Sequence, residues 1–194
     1  MGAREDTTIP GLVVAGVAKA RTGMILAAEE ALAAIGRQPR RRQRKYEADI
    51  AVLTASIAGA RGEWGTVVRE LEPLTIAGRT SFVVYRLPIR WLVAEALENL
   101  GRDEEAAAAY ELVIDPLRLR GIGYLVRPSY VALAHCRLAP LYARLGRPDE
   151  ARRHWQSAQA MITTPDPVYR ELLATARAAV AVASGRPSDG HSQN

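Results

Sequence analysis

Two residue patterns in this sequence could carry out chemistry: neighbouring carboxylates, and a histidine beside a cysteine. Carboxylate pairs act as general acid and base in many hydrolytic enzymes. The pairs Glu29-Glu30, Glu104-Glu105 and Asp149-Glu150 lie in helical patterns, and none belongs to a recognisable set with a histidine and a nucleophile. A Ser-His-Asp set, a phosphate-binding loop and a dinucleotide fingerprint are also absent from the sequence. We therefore expect no enzymatic activity.

A metal centre is not expected either. His135 and Cys136 are adjacent, so on a helix their side chains diverge by about 100° and cannot hold one ion together. His154 and His191 are the only other histidines, and a single cysteine excludes both an internal disulfide and a multi-thiolate site. We expect no metal and no cofactor, and we interpret Cys136 as a small buried or groove-facing hydrophobic residue.

The positive charge of the chain is concentrated in one run, which we call the basic cluster. It has six cations and no acid: Arg37, Arg40, Arg41, Arg42, Arg44 and Lys45. The formal net charge is +5, and removing these six from the 26 cations leaves 20 basic against 21 acidic residues. The basic character is therefore local.

The basic cluster has three interpretations. A solvated linker leading into a helix comes first, because charge runs mostly interact with water alone. Contact with an acidic protein or an anionic membrane surface is the second, since each cation near such a surface contributes about 1 kcal/mol. RNA binding is disfavoured, because no aromatic residue is interleaved from 37 to 45 to stack on bases.

No segment of the sequence is long and apolar enough to cross a membrane. The longest apolar run covers residues 9–18 and contains Pro10, Gly11 and Gly16, whereas a bilayer needs about 20 apolar residues. The first six residues are not basic, so no signal peptide is expected. A single cysteine fits a reducing compartment. We expect a cytoplasmic location, with peripheral attachment to a membrane as the alternative.

A glycine that returns at a nearly fixed interval organises the whole chain. The glycines are separated by 39, 39, 45 and 39 residues, and such a period is typical of helical-repeat proteins: Gly23, Gly62, Gly101, Gly146 and Gly185. A glycine at this recurring place indicates a helix end at positive φ. Ala, Arg and Leu dominate the composition and favour helix throughout. The sequence therefore predicts an all-helical protein.

Other positions repeat with the glycine. Seven residues before it the side chain is always small: Gly16, Ala55, Ala94, Ala139 and Ala178. Five residues after it stand Ala28, Val67, Ala106 and Ala151, and nine after it stand Leu32, Leu71, Tyr110 and Trp155. Small residues let two helices approach, and one large residue per hairpin fills the space beside them. The pattern predicts that these positions are buried.

These signals divide the chain into helical hairpins. We predict hairpins at about 9–35, 46–75, 86–114 and 130–162, a capping helix at 167–184, one domain over 1–185, and a polar tail over 186–194. The linker 36–45 carries the basic cluster. The segment 81–85 could pass for a strand but is interpreted as the lead-in to a helix, and a loop near Tyr124 holds the extra residues of the longest interval.

The segments Ala94–Tyr110 and Ala139–Trp155 resemble the tetratricopeptide repeat. Each contains a small residue, Leu-Gly-Arg, acids, alanine and an aromatic residue. The stretch 120–124, the hairpin 132–161 and the Ala-rich cap are similar to the helical-repeat region that follows the kinase domain in bacterial eukaryotic-type Ser/Thr kinases, although no kinase signature is present. The resemblance implies a right-handed α-solenoid of about four hairpins plus a cap, used as a detached interaction module.

In such a solenoid the first helix of each hairpin lines the concave side. Positions ten and six residues before each turn glycine then face the groove, whose floor is mostly apolar with two acids. The predicted groove residues are Val13, Val17, Val52, Trp91, Glu95, Glu98 and Cys136. Such a groove suits an apolar helix or an extended segment of a partner. The competing interpretation is that Trp91 and the valines are simply hairpin core.

The function predicted from these patterns is a non-enzymatic protein–protein interaction scaffold within a larger multiprotein complex. Other proteins are the expected partners, held by the groove and by Tyr124, and no small-molecule substrate is expected. The first alternative is a peripheral protein attached to an anionic membrane surface through the basic cluster, beside an energy-converting complex such as a photosynthetic or respiratory one. The second alternative is an RNA-binding adaptor.

Overall fold

The computed structural model of the chain describes residues 8–77, 86–115, 128–163 and 167–185. All regular secondary structure in these ranges is helical, so the predicted all-α class is confirmed for them. The segment 81–85, the loop with Tyr124 and the tail 186–194 lie outside the described residues. None of the described helices is long and apolar enough to cross a membrane.

The chain divides into two units, Met1–Gly101 and Arg102–Asn194. Unit 1 contains α1 (Ile9–Arg21), α2 (Ile25–Gly36), α3 (Arg40–Lys45), α4 (Glu47–Ala60), α5 (Trp64–Ala77) and α6 (Arg86–Asn99). Unit 2 contains α7 (Asp103–Ile114), α8 (Pro128–Arg144), α9 (Pro148–Met161) and α10 (Pro167–Gly185). The hairpin predicted at 86–114 falls across this division, and the single domain over 1–185 stays a prediction.

Within unit 1, α1 packs on α2 and α4 packs on α5. Helix α4 also contacts both α1 and α2, and α6 contacts both α5 and α4. Within unit 2, α8 packs on α7 and α9, and α10 contacts both α8 and α9. Both units therefore contain a helix that packs across the two helices of the hairpin that precedes it.

The recurring glycines build a repeated turn. Four of the five adopt positive φ: Gly23 (79°), Gly62 (75°), Gly101 (72°) and Gly146 (72°). Three backbone hydrogen bonds then close the preceding helix in the same way: Met24 N–H donates to Lys19 O (2.9 Å), Glu63 N–H to Ala58 O (2.9 Å), and Arg147 N–H to Tyr142 O (2.8 Å). This 6→1 bond around a glycine is the Schellman ending of a helix. The fifth glycine, Gly185, has no positive φ and is the last residue of α10.

The small residues before the turns are buried, with one exception. Ala55, Ala94 and Ala139 are fully buried, and a Cβ atom added to Gly16 would stand 2.7 Å from Leu53 Cδ1. The small or apolar positions after the turns are also fully buried: Ala28, Val67, Ala106 and Ala151. Ala178 on α10 is exposed.

The predicted linker 36–45 contains a helix of its own, which corrects the expectation of a plain connection. Pro39 precedes α3, and Arg, Gln and Lys are good helix formers. The side-chain amide of Gln43 donates to the carbonyl oxygens of Gly36 (3.2 Å) and Gln38 (2.6 Å). These bonds tie the short helix back to the end of α2.

Candidate functional site

Unit 1 contains a cavity of about 330 Å³, which we call the tryptophan pocket. Helix α1 contributes Val17, Ala20 and Arg21; α4 contributes Val52, Ser56, Gly59 and Ala60; α5 contributes Trp64 and Leu71; α6 contributes Ile89, Trp91, Leu92 and Glu95. Most of these side chains are apolar. The pocket can therefore accept an apolar group of a partner.

Local sequence explains why this space remains open. The turn residues Gly59, Ala60 and Gly62 at the end of α4 have little or no side chain, so nothing from α4 fills the space in front of Trp64. A Cβ atom at Gly59 would stand 3.5–3.6 Å from Leu92, Trp64 and Val67, an ordinary contact distance. The pocket is therefore bordered by large side chains on α5 and α6 and floored by small ones on α4.

The polar groups of the tryptophan pocket lie on its α1, α4 and α6 sides. Ser56 is buried and its hydroxyl donates to Val52 O at 2.7 Å, so that group is satisfied within α4. Arg21 is exposed at the end of α1, and Glu95 is half-buried on α6. The pocket thus combines an apolar floor with one cationic and one anionic lining residue.

The structure brings together four of the residues predicted for the groove. Val17, Val52, Trp91 and Glu95 all line the tryptophan pocket. The other three do not. Val13 is fully buried in unit 1, Glu98 lies on α6 outside the lining, and Cys136 is 2% exposed on α8 of unit 2. Burial raises the pKa of the Cys136 thiol to about 11, so the group stays neutral and unreactive.

Sequence reasoning missed Trp64, which comes from the second helix of its hairpin. The groove prediction used only first-helix residues, at positions ten and six before a turn glycine, together with Glu98 on the same helix as Glu95. Trp64 stands two residues after Gly62, where it begins α5 and faces back towards the end of α4. A tryptophan two residues after a turn glycine was the available signal, since an aromatic group there extends over the preceding helix end.

The basic cluster is fully displayed on the surface of unit 1. Five of its cations belong to α3 and Arg37 follows α2, and all six are exposed. Elsewhere Arg61, Arg102 and Arg147 bind carboxylates, whereas among the described residues no carboxylate pairs with a cation of the cluster.

The anchored Gln43 orients the basic cluster. Helical geometry places Arg40, Arg41, Arg44 and Lys45 within about 140° of arc, and the midpoint of that arc lies about 130° from Gln43. Because Gln43 is bonded back to the turn after α2, these four cations form one outward face. Arg44 and Lys45 also border a shallow depression of about 560 Å³ over α4 and α5.

Unit 2 contains a chain of polar groups that joins α7, α8 and α9, which we call the histidine chain. His135 Nδ1 lies 2.9 Å from His154 Nδ1, and His154 Nε2 lies 3.2 Å from Glu111 Oε1. The Tyr142 hydroxyl donates to the same Glu111 oxygen at 3.0 Å. The Tyr142 ring stacks on His154 with centroids 5.2 Å apart, and the Arg147 guanidinium lies 4.6 Å from the Tyr142 centroid.

Burial dominates the electrostatics of the histidine chain. Desolvation, with a smaller effect of the neighbouring His154 in the same direction, lowers the pKa of His135 to about 4. Desolvation also lowers the pKa of His154 to about 4, with Arg153 adding to the effect. The His154–Glu111 contact is therefore a hydrogen bond of a neutral imidazole at neutral pH. Burial raises the pKa of Tyr142 to about 12, so its hydroxyl keeps its proton.

The sequence predicted only that the side chains of His135 and Cys136 point in different directions. It did not predict the contact between His135 and His154. The two histidines are 19 residues apart on facing helices of one hairpin, and their meeting depends on the register of α8 against α9. In the ranges that the structure describes, no group of three His, Cys, Asp or Glu side chains is arranged to hold a metal ion.

No protein-family model, no curated protein and no solved structure matches the chain.

Proposed function

We propose that this chain is a non-enzymatic protein-interaction module, built as a right-handed solenoid of tetratricopeptide-like hairpins with α10 as its cap. It serves as a subunit of a larger complex and binds a partner through the tryptophan pocket. The observation that carries the proposal is the convergence of Trp64 and Trp91 on one apolar cavity beside Val17 and Val52. Buried aromatic residues in a pocket are where binding energy concentrates in protein interfaces.

The occupant we propose is an apolar side chain presented by a helical or extended segment of the partner. The cavity, about 330 Å³, has room for one such side chain but not for a folded element. Arg21 and Glu95 line the same cavity and are its charged residues. The tetratricopeptide-like turns support the solenoid part of the proposal, because the same Schellman ending recurs in both units.

A blocking substitution tests the pocket without removing its aromatic walls. Ala60 is exposed and lines the pocket, so Ala60→Phe should occupy it while leaving the core unchanged. Ala33→Phe is the matched control, since Ala33 is an exposed alanine on α2 outside the lining. We expect Ala60→Phe and Trp91→Ala to lower the yield of co-purified partners from source cells at least about tenfold, and Ala33→Phe to leave it unchanged.

Intrinsic fluorescence gives a second measurement on any partner segment recovered. In a Trp155→Phe background the remaining tryptophans are Trp64 and Trp91, both in the pocket. Binding should change their emission, and Ala60→Phe should abolish the change. Equal recovery of every partner by wild type, Ala60→Phe and Trp91→Ala would exclude the pocket as the binding site.

A second candidate function is attachment to an anionic membrane surface through the basic cluster. The observation that favours it is an outward face of exposed cations, none of which pairs with a carboxylate among the described residues. Helix α3 has no buried residue and thus no apolar anchor, so the attraction would be electrostatic and would weaken with salt.

Charge-matched variants separate a specific surface from net charge. The first triple variant replaces three cations of the basic cluster with glutamine: Arg40, Arg41 and Arg44. The second replaces three exposed arginines of unit 2 with glutamine: Arg153, Arg170 and Arg177. Both triple variants lower the formal charge from +5 to +2. Sedimentation with phosphatidylglycerol vesicles across a salt series should show weakened binding for the first variant alone. Binding to neutral vesicles, or equal losses in both variants, would contradict this function.

A further inference from the structure

The hydrogens of the histidine chain can be assigned from its acceptors. Glu111 Oε1 is a carboxylate oxygen and only accepts, so the His154 Nε2 that faces it at 3.2 Å must carry a hydrogen. A neutral His154 then has a bare Nδ1, which accepts from His135 Nδ1–H at 2.9 Å. His135 Nε2 is therefore the nitrogen without a hydrogen. In this arrangement Tyr142, His154 and His135 each donate one hydrogen bond along the chain.

The chain tolerates one added proton but not two. A first proton on His135 Nε2 leaves the Nδ1–H donor of that ring in place, so every hydrogen bond survives. A second proton must enter at His154 Nδ1, the acceptor of the pair. Two N–H donors would then face each other 2.9 Å apart. Both rings would be cationic, and only one carboxylate, Glu111, would contact them. The contact between α8 and α9 at this point cannot persist in that state.

The charged groups around the pair do not remove this conflict. Glu111 of α7 is the acid in contact with it, and Tyr142 of α8 is neutral. Arg153 and Glu150 of α9 act on His154 in opposite directions, Arg147 lies against the Tyr142 ring, Arg137 of α8 lies beside Cys136, and α10 carries the exposed Arg170, Glu171 and Arg177. A doubly protonated pair would therefore have one contacting carboxylate, Glu111, for two positive charges.

We propose that His135 and His154 form an acid-sensitive latch, which holds α8 and α9 against α7 while at most one imidazole is protonated and weakens that packing when both are. The latch lies in unit 2 and is independent of the tryptophan pocket. It gives the module a pH-dependent stability that no surface histidine would supply.

The direction of the pH effect follows from proton binding. Folding lowers the pKa of both histidines from 6.5 to about 4, so the unfolded chain binds more protons between these values. The contribution is complete above about pH 6.5 and is lost as the pH falls towards 4. Each extra proton bound by the unfolded chain changes the unfolding constant about tenfold per pH unit.

The experiment is a series of denaturant unfolding curves of the full chain from pH 7.5 to 4.5, followed by circular dichroism. We expect wild type to take up at least one proton more on unfolding near pH 5 than the His135→Gln, His154→Gln double variant, which retains side-chain amides but cannot titrate. Asp103→Asn is the matched control. It removes an ion pair between α7 and α8 but no histidine, so its proton uptake near pH 5 should match that of wild type.

Nuclear magnetic resonance of the wild-type imidazoles keeps the test independent of whether a variant folds. At pH 7 the two-bond ¹⁵N couplings should show His154 with hydrogen on Nε2 and His135 with hydrogen on Nδ1. Neither ring should titrate near pH 6.5. Free titration of both rings near pH 6.5, or equal proton uptake by wild type and the double variant, would overturn the latch.

Discussion

The two units share their turn but bury different chemistry. In unit 1 the hairpin α4–α5 and helix α6 leave a space bordered by Trp64 and Trp91. In unit 2 the contacts among α7, α8 and α9 are occupied by imidazole, phenol and carboxylate groups that satisfy one another. One arrangement leaves apolar surface for another molecule, and the other makes the packing depend on protonation.

This difference shows how little of a repeat has to change to alter its use. The backbone needs only a turn glycine and small residues at the closest approach of the helices. The side chains between these points are free to differ. An open apolar space sacrifices dispersion contacts that a partner can restore, whereas a buried polar chain must remain complete, because a single unsatisfied group costs about 1–3 kcal/mol.

The largest effect is expected where α1 approaches α4 most closely. Gly16 occupies the place that Ala139 takes in unit 2, seven residues before the turn glycine. Leu53 is fully buried, so Leu53→Ala should cost about 2–5 kcal/mol. Gly16→Ala should cost about 1–3 kcal/mol, because its Cβ would stand 2.7 Å from Leu53 Cδ1 and 3.2 Å from Ala31 Cβ.

The double variant sharpens this prediction. With Leu53 shortened to alanine, the methyl group of Gly16→Ala enters vacated space and should no longer destabilise. Denaturant unfolding of the four proteins measures the coupling directly. Additive losses of stability in the double variant would mean that Leu53 is not what excludes a larger side chain at position 16. The difference from unit 2, which has Ala139 at this place, would then not depend on Leu53.

The turn itself should respond equally in both units. Gly62 and Gly146 have φ values of 75° and 72°, and an added Cβ atom would meet no atom closer than 3.9 Å at the first and none within 4 Å at the second. Replacement by alanine should therefore cost about 1–2 kcal/mol at each, from backbone strain alone. Gly65→Ala is the control. It lies in α5 with open space around it, so it should stabilise by up to about 1 kcal/mol. Thermal unfolding checks both signs, and a large difference between the two turns would break their equivalence.

The all-helical class and the turn glycines were predictable because they depend on local properties. The residue type of Gly23 and Gly146 indicates a positive φ, and the small size of Ala55 and Ala139 indicates close packing of helices. Which side chains contact each other across a pair of helices was harder to predict from the sequence. The His135–His154 contact depends on the rotation of α8 against α9, which a period of 39–45 residues does not specify.

The predicted groove was only partly recovered for a related reason. Val17, Val52 and Trp91 were found by their distance from the turn glycine, and the structure places them in one pocket. Cys136 has the same offset as Val52 and Trp91 but lies in unit 2 and is buried. Trp64 was missed because it comes from a second helix. Offsets from a turn identify a helix face, but which faces leave space between them depends on side-chain volume across several helices.

The smallest effect concerns an ion pair in unit 2 that is independent of the histidine chain. Arg144 donates two hydrogen bonds to Asp103, at 2.7 and 2.9 Å, and joins α8 to α7. The side-chain hydrogen bond from Arg144 holds the pKa of Asp103 below its ordinary value of 3.8. Because Arg144 is 46% exposed, Asp103→Asn should cost only about 1 kcal/mol at pH 7.

The pH dependence distinguishes this ion pair from the histidines that join the same helices. A carboxyl group with a lowered pKa stabilises the fold above its unfolded pKa and loses that contribution as the pH falls through the folded one. The difference between wild type and Asp103→Asn should therefore stay constant from pH 7 down to about 5 and shrink below about 4. Unfolding curves at four pH values measure it. A difference that already disappears between pH 6.5 and 5 would mean that Asp103 is coupled to His135 and His154, and that unit 2 titrates as one network.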